Sequence, residues 1–182
     1  MIDLIELEKS LLLPHVKKGG TAVDFTMGNG HDTLWLSEAV GDEGRVYAFD
    51  IQPQALENTR ARLKEHGREN CELICDSHAN VKKYVDRPIC AGMFNLGYLP
   101  GSDKKITTMR PSTMAAVTAA LDLLDADGGL LIAVYPGHEE GTLEGEMLDG
   151  FFSGLDRRTV CVSKLRIINS PASPFFFLAE KK

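Results

Sequence analysis

The sequence lacks any apolar run near the roughly 20 residues that a membrane-spanning helix needs. It also lacks an excess of basic residues: 20 Lys and Arg stand against 26 Asp and Glu, a formal net charge of -6. That balance argues against a chain that coats nucleic acid by bulk electrostatics. It leaves room for an RNA held by local basic patches, such as Lys17 with Lys18, Lys104 and Lys105 with Arg110, or Arg157 with Arg158. The four cysteines (Cys71, Cys75, Cys90, Cys161) form no CxxC pair and no zinc-ligand set. They read as buried free thiols of a reducing, cytoplasmic compartment. The opening residues, MIDLIELEKSLLL, carry Asp3, Glu6 and Glu8 where a signal peptide wants basic and then purely apolar residues. They read as an amphipathic helix, to which three uses are open: covering a sheet, meeting a second subunit in a homodimer, or shaping an RNA surface. There is no internal repeat, low-complexity tract or interdomain linker, so residues 1–182 are expected to form a single domain,.

What is present is an alternation of strand and helix patterns. TAVDF, RVYAFD, CELICD, ICAGMFN and LLIAVY are short apolar runs bounded by turn chemistry,. The last has almost no polar residue, as suits a parallel strand covered on both faces. Each of these five runs leads into a helical pattern, among them STMAAVTAALDLL, which Ser112 is placed to cap. TVCVSKLRI and FFFLAEK follow with only the NSPASP turn between them. The expected fold is therefore α/β: a seven-stranded Rossmann-like sheet, mostly parallel, ending in an antiparallel hairpin at one edge. Ligands of such sheets bind beyond the carboxyl ends of the strands, where strand order reverses. That places FTMGNGHD, FDIQ, CDSH, FNLGY and VYPGH around one crevice.

Gly28 and Gly30 allow a tight turn from the first strand into a helix and a close ligand approach. Asp50 lies 20 residues after Gly30, at the end of the second strand, where an acidic side chain can accept both hydroxyls of a ribose,. Strand, glycine turn, helix, strand and Asp in this order point to a nucleoside. A dinucleotide fold wants a third small residue where Thr33 stands. S-adenosylmethionine fits better, having a ribose but no phosphate. On that reading Asp24 organises the amides of the turn that contains Thr26, Asn29 and Asp32, with a plain structural hydrogen bond as its alternative role. Gln52 helps enclose the ribose or adenine. Asp76 or Ser77 meets an adenine edge with His78 nearby.

Asn95 to Tyr98, NLGY, follows the fourth strand. It resembles the Asn-Pro-Pro-Tyr type motif of class I methyltransferases that act on exocyclic or side-chain nitrogens. The resemblance implies that the Asn95 side-chain oxygen and the Leu96 carbonyl accept hydrogen bonds from the target amine, while Tyr98 stacks on the planar target. Leu-Gly replaces Pro-Pro, which makes the loop less rigid. Together, DFTMGNGHDTLWL, VYAFDIQ, FNLGYLPGSDK and VYPGHEEG resemble a small bacterial family once described as rRNA methylases, from about the first strand to the last. That resemblance implies a tRNA methyltransferase that converts 5-aminomethyl-2-thiouridine at the wobble position to its 5-methylaminomethyl form, using S-adenosylmethionine and contacting the anticodon loop. Class I enzymes generally have Gly where Thr26 stands.

Methyl transfer needs the neutral amine, and a pocket that removes an ammonium from water favours that form. Asp32, His78 and His138 are the candidate bases. Tyr135 can stack on an RNA base, His138 can touch substrate, and Lys104 and Lys105 suit phosphate contacts. His138, Glu139, Glu140 and Glu144 match no standard zinc spacing, so no metal is expected; the three glutamates fit the acidic first turns of a helix. Rival readings are an N-methyltransferase of rRNA or of a small molecule, and a non-catalytic nucleotide-binding module.

Overall fold

The computed structural model describes residues 3–97, 107–137 and 139–182. Helix α1 (Leu4–Leu12) begins at Asp3, whose carboxylate accepts the Ile5 and Glu6 amides,. Strand β1 (Thr21–Asp24) is buried along its whole length. It is followed by α2 (His31–Val40), β2 (Arg45–Asp50), α3 (Pro53–Glu65), β3 (Cys71–Cys75), a 3-10 helix (His78–Lys83) and β4 (Ile89–Leu96). The second half comprises α4 (Arg110–Leu123), β5 (Leu124–Val134), α5 (Glu139–Ser153), β6 (Val160–Leu165) and β7 (Phe175–Lys181).

The seven strands form one sheet in the order β3-β2-β1-β4-β5-β7-β6. β1 to β5 pair in parallel, and β7 runs antiparallel to both β5 and β6. The expected mixed sheet with an antiparallel hairpin at one edge is what the chain forms. Strand order reverses between β1 and β4, so their carboxyl ends flank the crevice where ligands of such sheets bind.

Alternation along the strands sends successive side chains to opposite faces. Ala22, Met93, Leu131 and Ala133 join Leu12 of α1 and Leu36 and Val40 of α2 in one core. Val23, Phe94, Leu130 and Ile132 face the other way, toward Ala116 and Val117 of α4 and Leu148 of α5. Phe25 and Phe94 stack there with ring centroids 4.1 Å apart. The same alternation puts Asp24, two residues past Ala22, and Asn95, two past Met93, on the face covered by α1 and α2.

Three local expectations are corrected. Ser112 does not cap α4: the helix starts earlier, at Arg110 with Pro111 in its first turn, and the Ser112 hydroxyl donates back to the Met109 carbonyl,. DADGG is not a turn outside β5 but lies within it, with Asp127 at φ 61° and a register shift against β4 between Ile89 and Ala91. Of the four free thiols only Cys90 is buried, and Cys75 is exposed.

The Gly28–Gly30 turn is clamped by α3. Gly30 has φ 78°, and a Cβ there would lie 2.7 Å from Thr59 Oγ1 and 2.9 Å from the Thr59 Cα. At this glycine the close neighbour within the protein is α3. Gly30→Ala should therefore lower unfolding stability by about 2 kcal/mol or more, from left-handed strain alone about 1–2. Denaturant unfolding at neutral pH measures this, and an unchanged midpoint would show that α3 gives way freely.

Candidate active site

Asp24 sits fully inside the protein at the end of β1. Its Oδ1 accepts the Thr26 amide at 3.1 Å and its Oδ2 accepts the Thr33 hydroxyl at 2.6 Å. Thr33, too large for the third small position of a dinucleotide turn, is thus the donor that lets a carboxylate lie beneath that turn. Asp50, at the end of β2, accepts Gly28 N–H at 3.0 Å and Gln52 N–H at 2.9 Å, one on each oxygen. A carboxylate has about four acceptor sites, so each oxygen keeps capacity toward the crevice. The Asn29 side chain and carbonyl are both engaged by α3, accepting from Asn58 at 2.8 Å and from Arg62 at 2.8 Å.

After β3, Asp76 accepts the Ser77 amide, the Asn80 amide and the Tyr84 hydroxyl. These donors hold its carboxyl below the usual range, the Asn80 bond contributing most. The Ser77 hydroxyl accepts the Ala79 N–H at the start of the 3-10 helix. His78 faces the Phe25 carbonyl through Nδ1 at 2.9 Å, which assigns the proton to Nδ1,. Its Nε2 is buried without a partner among the described residues, and burial pushes the ring toward the neutral form.

Thr26 joins the two sides of the crevice. Its hydroxyl oxygen accepts the Asn95 amide at 2.7 Å, a bond that the glycine usual at this position cannot make. The Asn95 carboxamide is then fixed at both ends. Nδ2 donates to Asp32 Oδ2 at 2.7 Å and Oδ1 accepts from the Tyr135 hydroxyl at 3.1 Å. Asparagine O and N are hard to tell apart by shape; here a carboxylate, which can only accept when ionised, decides the orientation. Oδ1 therefore faces away from Asp32, on the Tyr135 side. Leu96 is buried in β4 beside Val134.

The sequence reading missed Glu8. It projects from α1 and is only 3% exposed. It lies near Asn95, Asp32 and Asp24, and its carboxyl is raised from 4.5 to about 8, by burial first and then by the Asp32 charge. Asp24 is raised to about 7, again by burial and then by Asp32. Asp32 is raised as well, by burial. A signal for Glu8 existed: Leu4, Glu8 and Leu12 share a spacing of four, so the glutamate interrupts the apolar stripe of α1,.

Tyr98, Lys104, Lys105 and His138 lie outside the described residues. Three of the other basic candidates have carboxylate neighbours: Lys17 pairs with Asp125, Arg110 with Glu140 and Arg158 with Asp156; Lys18 donates to the Glu38 backbone carbonyl. The three glutamates do lie in the opening turns of α5, but Glu144 has a partner across an interface that the sequence reading did not foresee. It is fully buried and accepts the hydroxyls of Thr108 and Thr113, tying α5 to the start of α4. No group of His, Cys, Asp and Glu among the described residues is arranged to hold a metal ion, and none of the described helices is long and apolar enough to cross a membrane.

Comparison with known proteins decides the family. The model of the family described as "Putative rRNA methylase" matches residues 46–181. This chain belongs to that family of class I methyltransferases. A crystal structure of a "putative rRNA-methylase" from Clostridium thermocellum is 36% identical, covers 100% of this chain and 99% of its own, and superposes with a TM-score of 0.96. A "putative methyltransferase" from Streptococcus mutans, solved in complex with SAH, is 36% identical over 100% of this chain and 99% of its own, with a TM-score of 0.90. The chloroplastic tRNA (mnm(5)s(2)U34)-methyltransferase of Arabidopsis thaliana is 35% identical over 92% of this chain, which spans 65% of that protein's length.

The family's site has a testable electrostatic signature. Glu8 and Asp24 hold protons in the folded state at pH values where unfolded carboxyls have released them. Stability from this source is complete below the unfolded values and is lost as pH rises through about 7 and about 8,. His31 and His78, both lowered by burial, are neutral in folded and unfolded chains across most of that window. The melting temperature should fall as pH is raised from about 7 to about 9 by scanning calorimetry; a flat or rising curve would show that these carboxyls are already ionised.

Proposed function

We propose that this protein transfers a methyl group from S-adenosylmethionine to the exocyclic aminomethyl nitrogen of a modified uridine at the tRNA wobble position. The observation that carries the reading is the presentation of Asn95 Oδ1 at the β1–β4 switch point, opposite the glycine turn, with its amide end held on Asp32. An acceptor fixed there can take a hydrogen bond from an amine and aim its lone pair across the crevice.

S-adenosylmethionine is the methyl donor, and the crevice residues suit it. Asp50 has acceptor capacity for two ribose hydroxyls, and His78 Nε2 is a buried acceptor that wants a donor. Asp24 and Thr33 put a hydrogen-bonded carboxyl beneath the turn, where a dinucleotide turn packs a small residue against its strand,. When bound, the cofactor supplies an activated methyl on a sulfonium, so the protein's task is chiefly positioning. Asn95 Oδ1 and the Leu96 carbonyl orient the amine. Tyr135 flanks a planar base, and Tyr98 of the NLGY motif is assigned the same stacking role. Lys104 and Lys105 contact phosphate of the anticodon loop.

The choice of tRNA over rRNA follows the Arabidopsis relative.

Mass spectrometry of tRNA nucleosides after incubation with enzyme and S-adenosylmethionine tests the substrate. The aminomethyl nucleoside should gain about 14 Da, the added CH₂ of a positioned transfer; no gain with cofactor bound would redirect the reading to another amine. Asp50→Ala should weaken S-adenosylmethionine binding by about tenfold or more in calorimetry, as expected for loss of charged hydrogen bonds of about 1.5–3 kcal/mol. Asn95→Ala should abolish transfer while leaving that binding intact. If it spares both, the acceptor role of Asn95 is wrong.

A further inference from the structure

Three carboxylates converge on the acceptor side of the crevice from three elements: Glu8 from α1, Asp32 from α2 and Asp24 from β1. Among the described residues none of them stands in an ion pair. Asp24 is accounted for by its bonds to Thr26 and Thr33. Asp32 is accounted for by the Asn95 amide. Glu8 shares the Asn95 side chain with Asp32 as a hydrogen-bond partner, which satisfies part of its carboxyl and supplies no positive charge. It is 97% removed from solvent, on the stripe of α1 where packing alone would place a leucine. The groups that face it are Asp32 of α2, Asp24 of β1, Asn95 of β4, Tyr135 after β5 and its own neighbour Lys9. Apart from Lys9, every ionisable group among them is an acid.

A buried carboxyl without a cation carries a large desolvation cost unless it is neutral or meets a positive partner. The reading above supplies that partner. An aminomethyl group arrives mostly as an ammonium, which has no lone pair to offer. It would be bound beside Asn95, next to this carboxyl.

We propose that Glu8, reaching the site from the N-terminal helix, selects a cationic primary amine and takes its proton before methyl transfer. The inference rests on the function proposed above. The step is R–NH₃⁺ with Glu8–COO⁻ giving R–NH₂ with Glu8–COOH: an N–H bond breaks, its pair stays on nitrogen, and the proton moves to a Glu8 carboxylate oxygen. The neutral amine then hydrogen-bonds to Asn95 Oδ1. Asp32, holding Nδ2, keeps that oxygen in place and through its charge makes Glu8 a stronger proton acceptor. An exposed glutamate would be too weak a base for an alkylamine; burial and the neighbouring acid narrow that gap. The N-terminal helix is then a part of the substrate site as well as a cover for the sheet.

The test is Glu8→Gln, which keeps the size and a hydrogen-bonding head while removing the base. At pH 7.5 the turnover of aminomethyl tRNA should fall about 100-fold, the lower range for a lost general base. The loss should shrink as pH rises toward the roughly 10.4 of a lysine-type amine, because water then supplies neutral amine. Calorimetric affinity for S-adenosylmethionine should be unchanged. The melting temperature at pH 8.5 should match or exceed that of the wild type, since a buried charge is gone. Glu8→Asp, should Gln fail to fold, should give an intermediate rate with the wild-type shape of pH profile. An unchanged rate, or a loss equal at every pH, overturns the role of Glu8. If wild-type enzyme leaves the aminomethyl nucleoside unmethylated, the substrate reading itself fails and the Glu8 step with it.

Discussion

The hydrogen bond from Asn95 Nδ2 to Asp32 is the constraint on which the rest of the site depends. An asparagine at the end of a strand can turn its amide either way, and only one way offers an acceptor to an amine. Asp32, on the first turn of α2, removes the choice. The bond from the Asn95 backbone to the Thr26 hydroxyl then couples that acceptor to the glycine turn. Donor and acceptor halves are thus held by one short chain of contacts: Thr33 to Asp24, Asp24 to Thr26, Thr26 to Asn95, Asn95 to Asp32. All but the local Asp24–Thr26 link span distant parts of the chain, so displacement of α2 or β4 would disturb both halves together.

The arrangement has a cost. Glu8, Asp24 and Asp32 are withdrawn from water close to one another, and burial raises all three carboxyls. Apolar residues in the same places would make a more stable protein, as is common when buried charge is exchanged for well-packed hydrophobic side chains. A site that must receive a cationic amine, and act beside a sulfonium, has a use for buried carboxyls that no cation among the described residues neutralises. α1 supplies one of the three carboxyls while covering the sheet face with Leu12 and its neighbours.

The sheet and its switch point were legible in the sequence because they rest on periodicity. Continuous apolar runs such as LLIAVY mark buried parallel strands, and the missing helix between the last two strands marks the hairpin. Asp50 was legible through its distance from the glycine turn. Asp24 was placed beneath the turn, though its partner Thr33 served only as an argument against a dinucleotide. Glu8 escaped because a charge in an amphipathic helix is read as solvated, and only its place on the Leu4–Leu12 stripe said otherwise. Glu144 escaped for a similar reason: an acidic residue near a helix start suits the dipole, and nothing local told of Thr108 and Thr113 waiting across the interface. The clamp of α3 on the Gly28–Gly30 turn comes from Asn58, Thr59 and Arg62, about thirty residues away in sequence, at a contact that no local pattern encodes.

The most direct test of the central claim is a crystal structure with SAH and an anticodon stem-loop that carries the aminomethyl uridine. The account predicts the amine nitrogen within hydrogen-bond distance, about 3 Å, of Asn95 Oδ1, with Nδ2 still on Asp32. An amine bound away from Asn95, or a carboxamide turned so that its nitrogen faces the crevice, would contradict it.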